Sequence, residues 1–275
     1  MSTERVLLLG AIAGVTIFLG LPMARMRGLK PGLRVSLTAV ATGILVFLLW
    51  DVLSNGVEPV SSALDGRRWG DFTGYAALLG GGFALGLMSL VHYDSWVKSR
   101  RASSLVGPGA AAVDEFTDRA AALSPARQLA LLIATGIGLH NFGEGLAIGQ
   151  SSAAGDVALA VVLITGFALH NATEGFGIAG PLAGEAELPS WRFLGLLGLI
   201  GGGPTFLGTA IGYAWVSTAL QVAFFAVAAG SILYVVLELA HVCRRYSMPR
   251  LVGWMVILGL VLGFGTDFVL DAVGA

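Results

Sequence analysis

The sequence predicts an all-α polytopic membrane protein: eight transmembrane helices in a single domain over residues 1–275, with both termini extracytoplasmic. Three observations predict it. The chain of 275 residues is 56% hydrophobic and 12% charged, with a mean hydropathy of +0.82, far from the balance of a soluble domain. Apolar runs of about 17–25 residues, the length that crosses a hydrocarbon core of about 30 Å, can be laid out eight times. With the N-terminus outside, 13 of the 16 lysines and arginines fall on the loops of one side, which the positive-inside rule makes the cytoplasm.

The first run, Val6–Pro22, is followed rather than preceded by its basic cluster of Arg25, Arg27 and Lys30, so it reads as a retained span and not a cleaved signal. The second, Leu33–Leu53, reaches Trp50 and Asp51. An outer loop then carries Asp51, Glu58, Asp65 and Asp71. Carboxylates ringing a pore mouth would concentrate cations there, and solvated loop charge is the other reading for Glu58, Asp65 and Asp71. Asp51, ending an otherwise uncharged span, is the pathway candidate.

The third run, Tyr75–Tyr93, leads into a cytoplasmic loop at about 94–126 in which Ser, Gly, Pro and mixed charge (KSRRASSLVGPG, then DEFTDR) predict a mobile connection. The remaining spans are Gln128–Gln150, Val157–Pro181, Phe193–Tyr213, Ala219–Val242 and Leu251–Leu270. Forty glycines suit close helix packing. Cys243, the single cysteine, excludes an intrachain disulfide and any cysteine-based zinc site. Nothing in the chain suits nucleic acid; the lipid bilayer is its first partner.

The chemistry lies in the fourth and fifth runs, which repeat one phrase, His-Asn-x-x-Glu-Gly: His140, Asn141, Glu144 and Gly145, then His170, Asn171, Glu174 and Gly175. Ionisable groups deep in apolar spans cost several kcal/mol unless paired or functional. Residues four apart lie about 40° apart around a helix and about 6 Å along it, so each His and Glu share a face. A short break at Ser151–Asp156 makes the two helices antiparallel neighbours, which sets His140 level with Glu174 and Glu144 level with His170. Two imidazoles and two carboxylates then meet at one point, a donor set that suits zinc and also Fe2+, Mn2+, Co2+ or Cd2+. Interhelical hydrogen bonding between polar side chains is the plainer reading; its weakness is that the phrase occurs twice on adjacent spans.

These two phrases resemble the fourth and fifth spans of the ZIP (Zrt-, Irt-like) metal transporters, in which the fourth span typically reads His-Asn-x-Pro-Glu-Gly and the fifth carries a related phrase. Gly143 and Thr173 stand where the family usually has proline. The resemblance implies eight spans with termini outside, divalent cation uptake toward the cytoplasm, with zinc the foremost substrate, a plasma (cell inner) membrane location and homodimers. It also marks departures. The family's Glu-Pro pair in the sixth span is replaced by Gly203-Pro204, removing a carboxylate from a second metal position, and Leu45 stands where relatives often offer a further donor. The cytoplasmic loop, often His-rich in the family, contains no histidine.

Asn141 and Asn171 either help hold a second ion, with Glu144 and Glu174 bridging, or bond to backbone carbonyls near the glycines. Glu238 and His241, near the inner end of the seventh span, together with His92 and Asp94 of the third, form either an exit relay or ordinary interfacial polarity. Asp267 and Asp271 read as outer-boundary charge. No GxxxxGK[ST] is present, so transport draws on an existing gradient. An intramembrane metal-dependent hydrolase lacks its usual His-Glu-x-x-His or Gly-x-Ser-x-Gly; a non-conducting metal sensor is the third reading, and no catalytic residue or catalytic cofactor is expected.

Overall fold

The computed structural model describes residues 2–28, 30–104, 123–153, 167–168, 171–183, 185–215 and 217–272. All regular structure among the described residues is helical: α1 (Thr3–Val15), α2 (Pro31–Asp65), α3 (Trp69–Ser104), α4 (Pro125–Ala153), α5 (171–179), α6 (Trp191–Ala214), α7 (Thr218–Arg244) and α8 (Pro249–Ala272), with short 3₁₀ segments at Thr16–Leu19, Leu21–Arg25 and Gly180–Leu182. Seven stretches, all but the fifth predicted run, are helices long and apolar enough to cross a membrane. The chain is therefore a multi-pass integral membrane protein by the length and composition of its helices. Most of the fifth run's N-terminal half lies outside the described residues.

Helix starts follow from local chemistry. Proline, whose missing N–H costs nothing in a first turn, opens α2 at Pro31, α4 at Pro125 and α8 at Pro249. Ser190 and Ser217 cap α6 and α7 by accepting from the Phe193 and Leu220 amides at 3.1 and 3.3 Å.

Two elements run further than their apolar runs suggest. Rather than entering a loop after Leu53, α2 continues for another three turns to Asp65. The polar residues that imply a loop lie on one exposed face, while Val52, Gly56, Pro59 and Ala63, spaced four, three and four apart, are buried. Asp51, Glu58 and Asp65 are thus helical residues, and Asp71 lies in the first turn of α3. Likewise α3 continues past Asp94 to Ser104. Of the predicted loop at 94–126, residues 105–122 lie outside the described residues.

The α2–α3 turn closes with the two hydrogen bonds of a Schellman motif, Arg68 N to Ala63 O and Arg67 N to Leu64 O, each 2.9 Å. Arg67 sits there at φ 54°, a left-handed conformation that glycine adopts without the Cβ penalty. Arg67→Gly is expected to stabilise the protein by about 1 kcal/mol, read as a rise in the thermal unfolding midpoint in detergent; a fall would show that the Arg67 side chain contributes more than its backbone costs.

The centre of the bundle is α4, which packs on α6, α7 and α1, while α7 also joins α2 and α3 and α2 carries α8. Ile133 and Ile137 of α4, Leu45 and Leu48 of α2, Ile178 of α5, and Ile232 and Val235 of α7 form one buried core. α3 and α8 are largely exposed, as helices turned toward lipid would be. The segment following α5 is tied down at one end of the bundle. Glu185 accepts from Arg34 of α2 at 3.2 Å and from Ser124 at 3.4 Å; Arg127 of α4 reaches Glu187 at 3.7 Å; Arg25 donates to the Pro189 carbonyl and lies 4.8 Å over the Trp191 ring. Solvent-exposed pairs of this kind contribute at most about 1 kcal/mol each, but they anchor the chain just after the end of α5, the helix that carries Glu174.

Candidate functional site

α4 presents His140, Asn141 and Glu144 to the interior, and α5 presents Asn171 and Glu174. All five are buried: His140 and Glu174 are 1% exposed, Glu144 3%, and the two asparagines 0%. His140 Nε2 lies 3.0 Å from Glu144 Oε1, one helical turn along, and 3.8 Å from Glu174 Oε1 across the helix interface. His140 thus stands level with Glu174. His170, the remaining member of the expected set, lies outside the described residues.

Asn141 joins three helices. Its Nδ2 donates to Glu174 Oε2 on α5 and to the Gly201 carbonyl on α6, both at 3.0 Å. Asn171 instead donates to the Ala13 carbonyl of α1 at 2.9 Å. Both amide nitrogens are committed to acceptors, which fixes each Oδ1 on the opposite side, and these two oxygens and Glu144 Oε2 are buried without a hydrogen-bond partner. An acceptor left unsatisfied in the interior costs about 1–3 kcal/mol. Among the described residues, unsatisfied acceptors thus lie on Glu144, whose carboxylate faces the His140 imidazole, and on Asn141, the next residue of α4.

Among the described residues, no three or more His, Cys, Asp or Glu side chains are disposed as a ready metal-binding cluster. His140 Nε2 is directed at the Glu144 carboxylate, so an ion would have to replace that contact.

The glycine ending each phrase has a packing role that the sequence does not announce. A Cβ on Gly145 would strike the Thr205 carbonyl of α6, and one on Gly175 would strike the Ile17 carbonyl and Gly20 in the 3₁₀ segment after α1. Each glycine thereby admits a neighbouring backbone one residue from a buried carboxylate. Gly143, where proline is usual in the resembled family, lies in an uninterrupted α4 and makes room for the ring of Phe225. Thr205, fully buried with an unpartnered Oγ1, also escaped notice; a hydroxyl directly after Pro204 in an apolar span was the available signal.

The outlying candidates fall elsewhere. Asp51 is half-buried, accepts from Asn55 Nδ2 at 3.1 Å, and is close enough to His140 and Glu144 to interact with both electrostatically. Glu238 is half-buried beside Tyr234, which Asp94 of α3 also faces. His241 is exposed and its Nε2 lies 3.2 Å from Arg245 Nη2; His92 is exposed too, its Nδ1 set against the Met88 carbonyl. Neither histidine belongs to the buried site. Asp267 is half-buried in the last turns of α8, and nothing is described of the Asp271 side chain. The site and the bundle define a helical membrane protein with a buried imidazole–carboxylate centre. The sequence matches no family model and no curated protein.

Proposed function

We propose that this chain is a divalent metal transporter of the ZIP type, carrying zinc foremost, and also able to accept Fe2+, Mn2+ or Cd2+, toward the cytoplasm across a plasma (cell inner) membrane. On this reading the second phrase completes an eighth span, both termini are outside, and His140, Glu144, His170 and Glu174 are the ligands. Asn141 and Asn171 flank them, Asp51 gathers cations on the approach, and Glu238 lies on the way out.

The observation that carries the reading is a buried imidazole set between two buried carboxylates, His140 with Glu144 and Glu174, while Glu144 Oε2, Asn141 Oδ1 and Asn171 Oδ1 are buried without a hydrogen-bond partner among the described residues. A bound cation would satisfy oxygens of this kind, and a carboxylate–imidazole set is the donor chemistry zinc takes. Imidazole ligates only when neutral and carboxylate only when ionised, so metal and protons compete here. The test is flux of a panel of divalent ions into liposomes containing the purified chain. Ion-dependent accumulation supports the transporter; tight binding without flux would make the protein a sensor, and hydrolysis of an intramembrane substrate would make it an enzyme.

Stoichiometry gives a second test. With Gly203 in place of a carboxylate, metal analysis is expected to find about one tight ion per chain. A Cβ at position 203 meets no atom of another element within 4 Å among the described residues. Gly203→Glu should therefore be accommodated and add or tighten a second ion; two equally tight ions in the unaltered chain would show that the asparagines suffice.

A further inference from the structure

At the turn between α7 and α8, away from the buried centre, the surface opens into a cavity of about 570 Å³. Cys243, Met248 and Val252 give it apolar walls that continue a small core cluster, and Arg244, Ser247 and Gly253 stand at its edge. The volume lies within the range of about 300–1,000 Å³ that encloses small ligands. Arg244 lines the cavity, and Arg250, which does not line it, follows the lining residue Pro249 and lies one helical turn before Gly253 in α8. Both are exposed, and neither has a carboxylate or hydrogen-bonding partner among the described residues, whereas Arg245 between them is engaged with His241.

The direction of the apolar surface indicates what kind of anion fits. Gly253, Ile257 and Val261 follow at four-residue spacing along α8 and all are exposed, so an apolar track runs from the cavity up the outside of a membrane-spanning helix. Trp254 lies exposed beside it, near the start of this spanning helix, and tryptophan is enriched at membrane–water boundaries. The turn also belongs to the basic side of the molecule, where anionic leaflet lipid is drawn to clustered arginine.

We propose that this cavity is a binding site for an anionic phospholipid. Its phosphoryl headgroup sits between Arg244 and Arg250, its glycerol lies against Met248 and Val252, and one acyl chain runs along Ile257 and Val261. A free phosphate would use only the arginines and leave the track without a purpose. This inference rests on the membrane-spanning helices and is independent of the metal chemistry.

The test is native mass spectrometry of the full chain, released from micelles containing phosphatidylglycerol and phosphatidylcholine with identical acyl chains. Phosphatidylglycerol should be retained at least tenfold over phosphatidylcholine. Arg244→Ala and Arg250→Ala should each lower that preference roughly fivefold, the worth of one cationic side chain at a lipid surface, and raised salt should weaken it. Gly253→Leu, whose Cβ meets no atom of another element among the described residues, should lower retention of phosphatidylglycerol by filling the cavity, with the unfolding midpoint of each variant confirming an intact fold. Equal retention of the two lipids, or a preference untouched by the double arginine variant, would overturn the proposal. So would displacement of phosphatidylglycerol by millimolar inorganic phosphate, which would make this a free-anion site.

Discussion

Glu144→Gln is expected to reduce divalent-cation flux by more than tenfold while leaving the protein folded. The substitution keeps the size of the side chain and an oxygen facing His140, whose Nε2 lies 3.0 Å from the carboxylate. The net worth of a hydrogen bond is about 0.5–1.5 kcal/mol, so stability should change by no more than that. What disappears is the negative charge beside the buried His140 imidazole. Losing even an outer partner of a metal ligand commonly costs about 10–100-fold in affinity or activity, and loss of a ligand should cost at least as much. His140→Ala and Glu174→Gln should fall in the same range. If Glu144 were only a structural partner of His140 within α4, the pattern would be reversed, with flux near normal and a lowered unfolding midpoint. Normal flux in Glu144→Gln and His140→Ala together would remove the site from the transport path.

Gly175→Val should produce the largest loss of folded protein of any single change near the site. The added side chain would meet the Ile17 carbonyl and the backbone of Gly20, which cannot rotate away as a side chain can. Overpacking a core usually costs about 1–3 kcal/mol, and a backbone neighbour should place this case at or above the upper figure. Gly145→Val, directed at the Thr205 carbonyl of α6, should behave alike. Gly195 provides the control: no atom lies within 4 Å of its Cβ, so Gly195→Ala should be neutral or gain up to about 1 kcal/mol in helix propensity. The readouts are monodispersity on size exclusion and the unfolding midpoint. Wild-type stability in Gly175→Val would mean that α5 and the 3₁₀ segment can separate freely, and that Glu174 is not held by their contact.

The repeated phrase was legible because its spacing is local. Four residues make about one helical turn, so the sequence alone sets His140 over Glu144 and marks both as costly ionisable groups in an apolar run. The same locality determined the helical class and seven of the apolar spans, since a segment's length and hydropathy are its own properties. It failed where a helix had to be read beyond its apolar run: the continuation of α2 to Asp65 depends on a narrow buried face at Val52, Gly56, Pro59 and Ala63 that only the packing of its neighbours defines.

The tertiary structure alone decided the rest. That Asn141 ties Glu174 to the Gly201 carbonyl while Asn171 turns to Ala13 could not follow from two identical His-Asn pairs, because the difference lies in which neighbouring helix each asparagine meets. The glycines of the phrase look like spacers in the sequence and act as contact points between backbones in the bundle. Arg244 reads only as cytoplasmic charge until the α7–α8 turn sets it in the lining of a cavity. Sequence determined which residues bear charge and how they repeat along each helix. Which of them face one another depends on crossings between elements far apart in the chain, and those are set by the joint packing of all the helices.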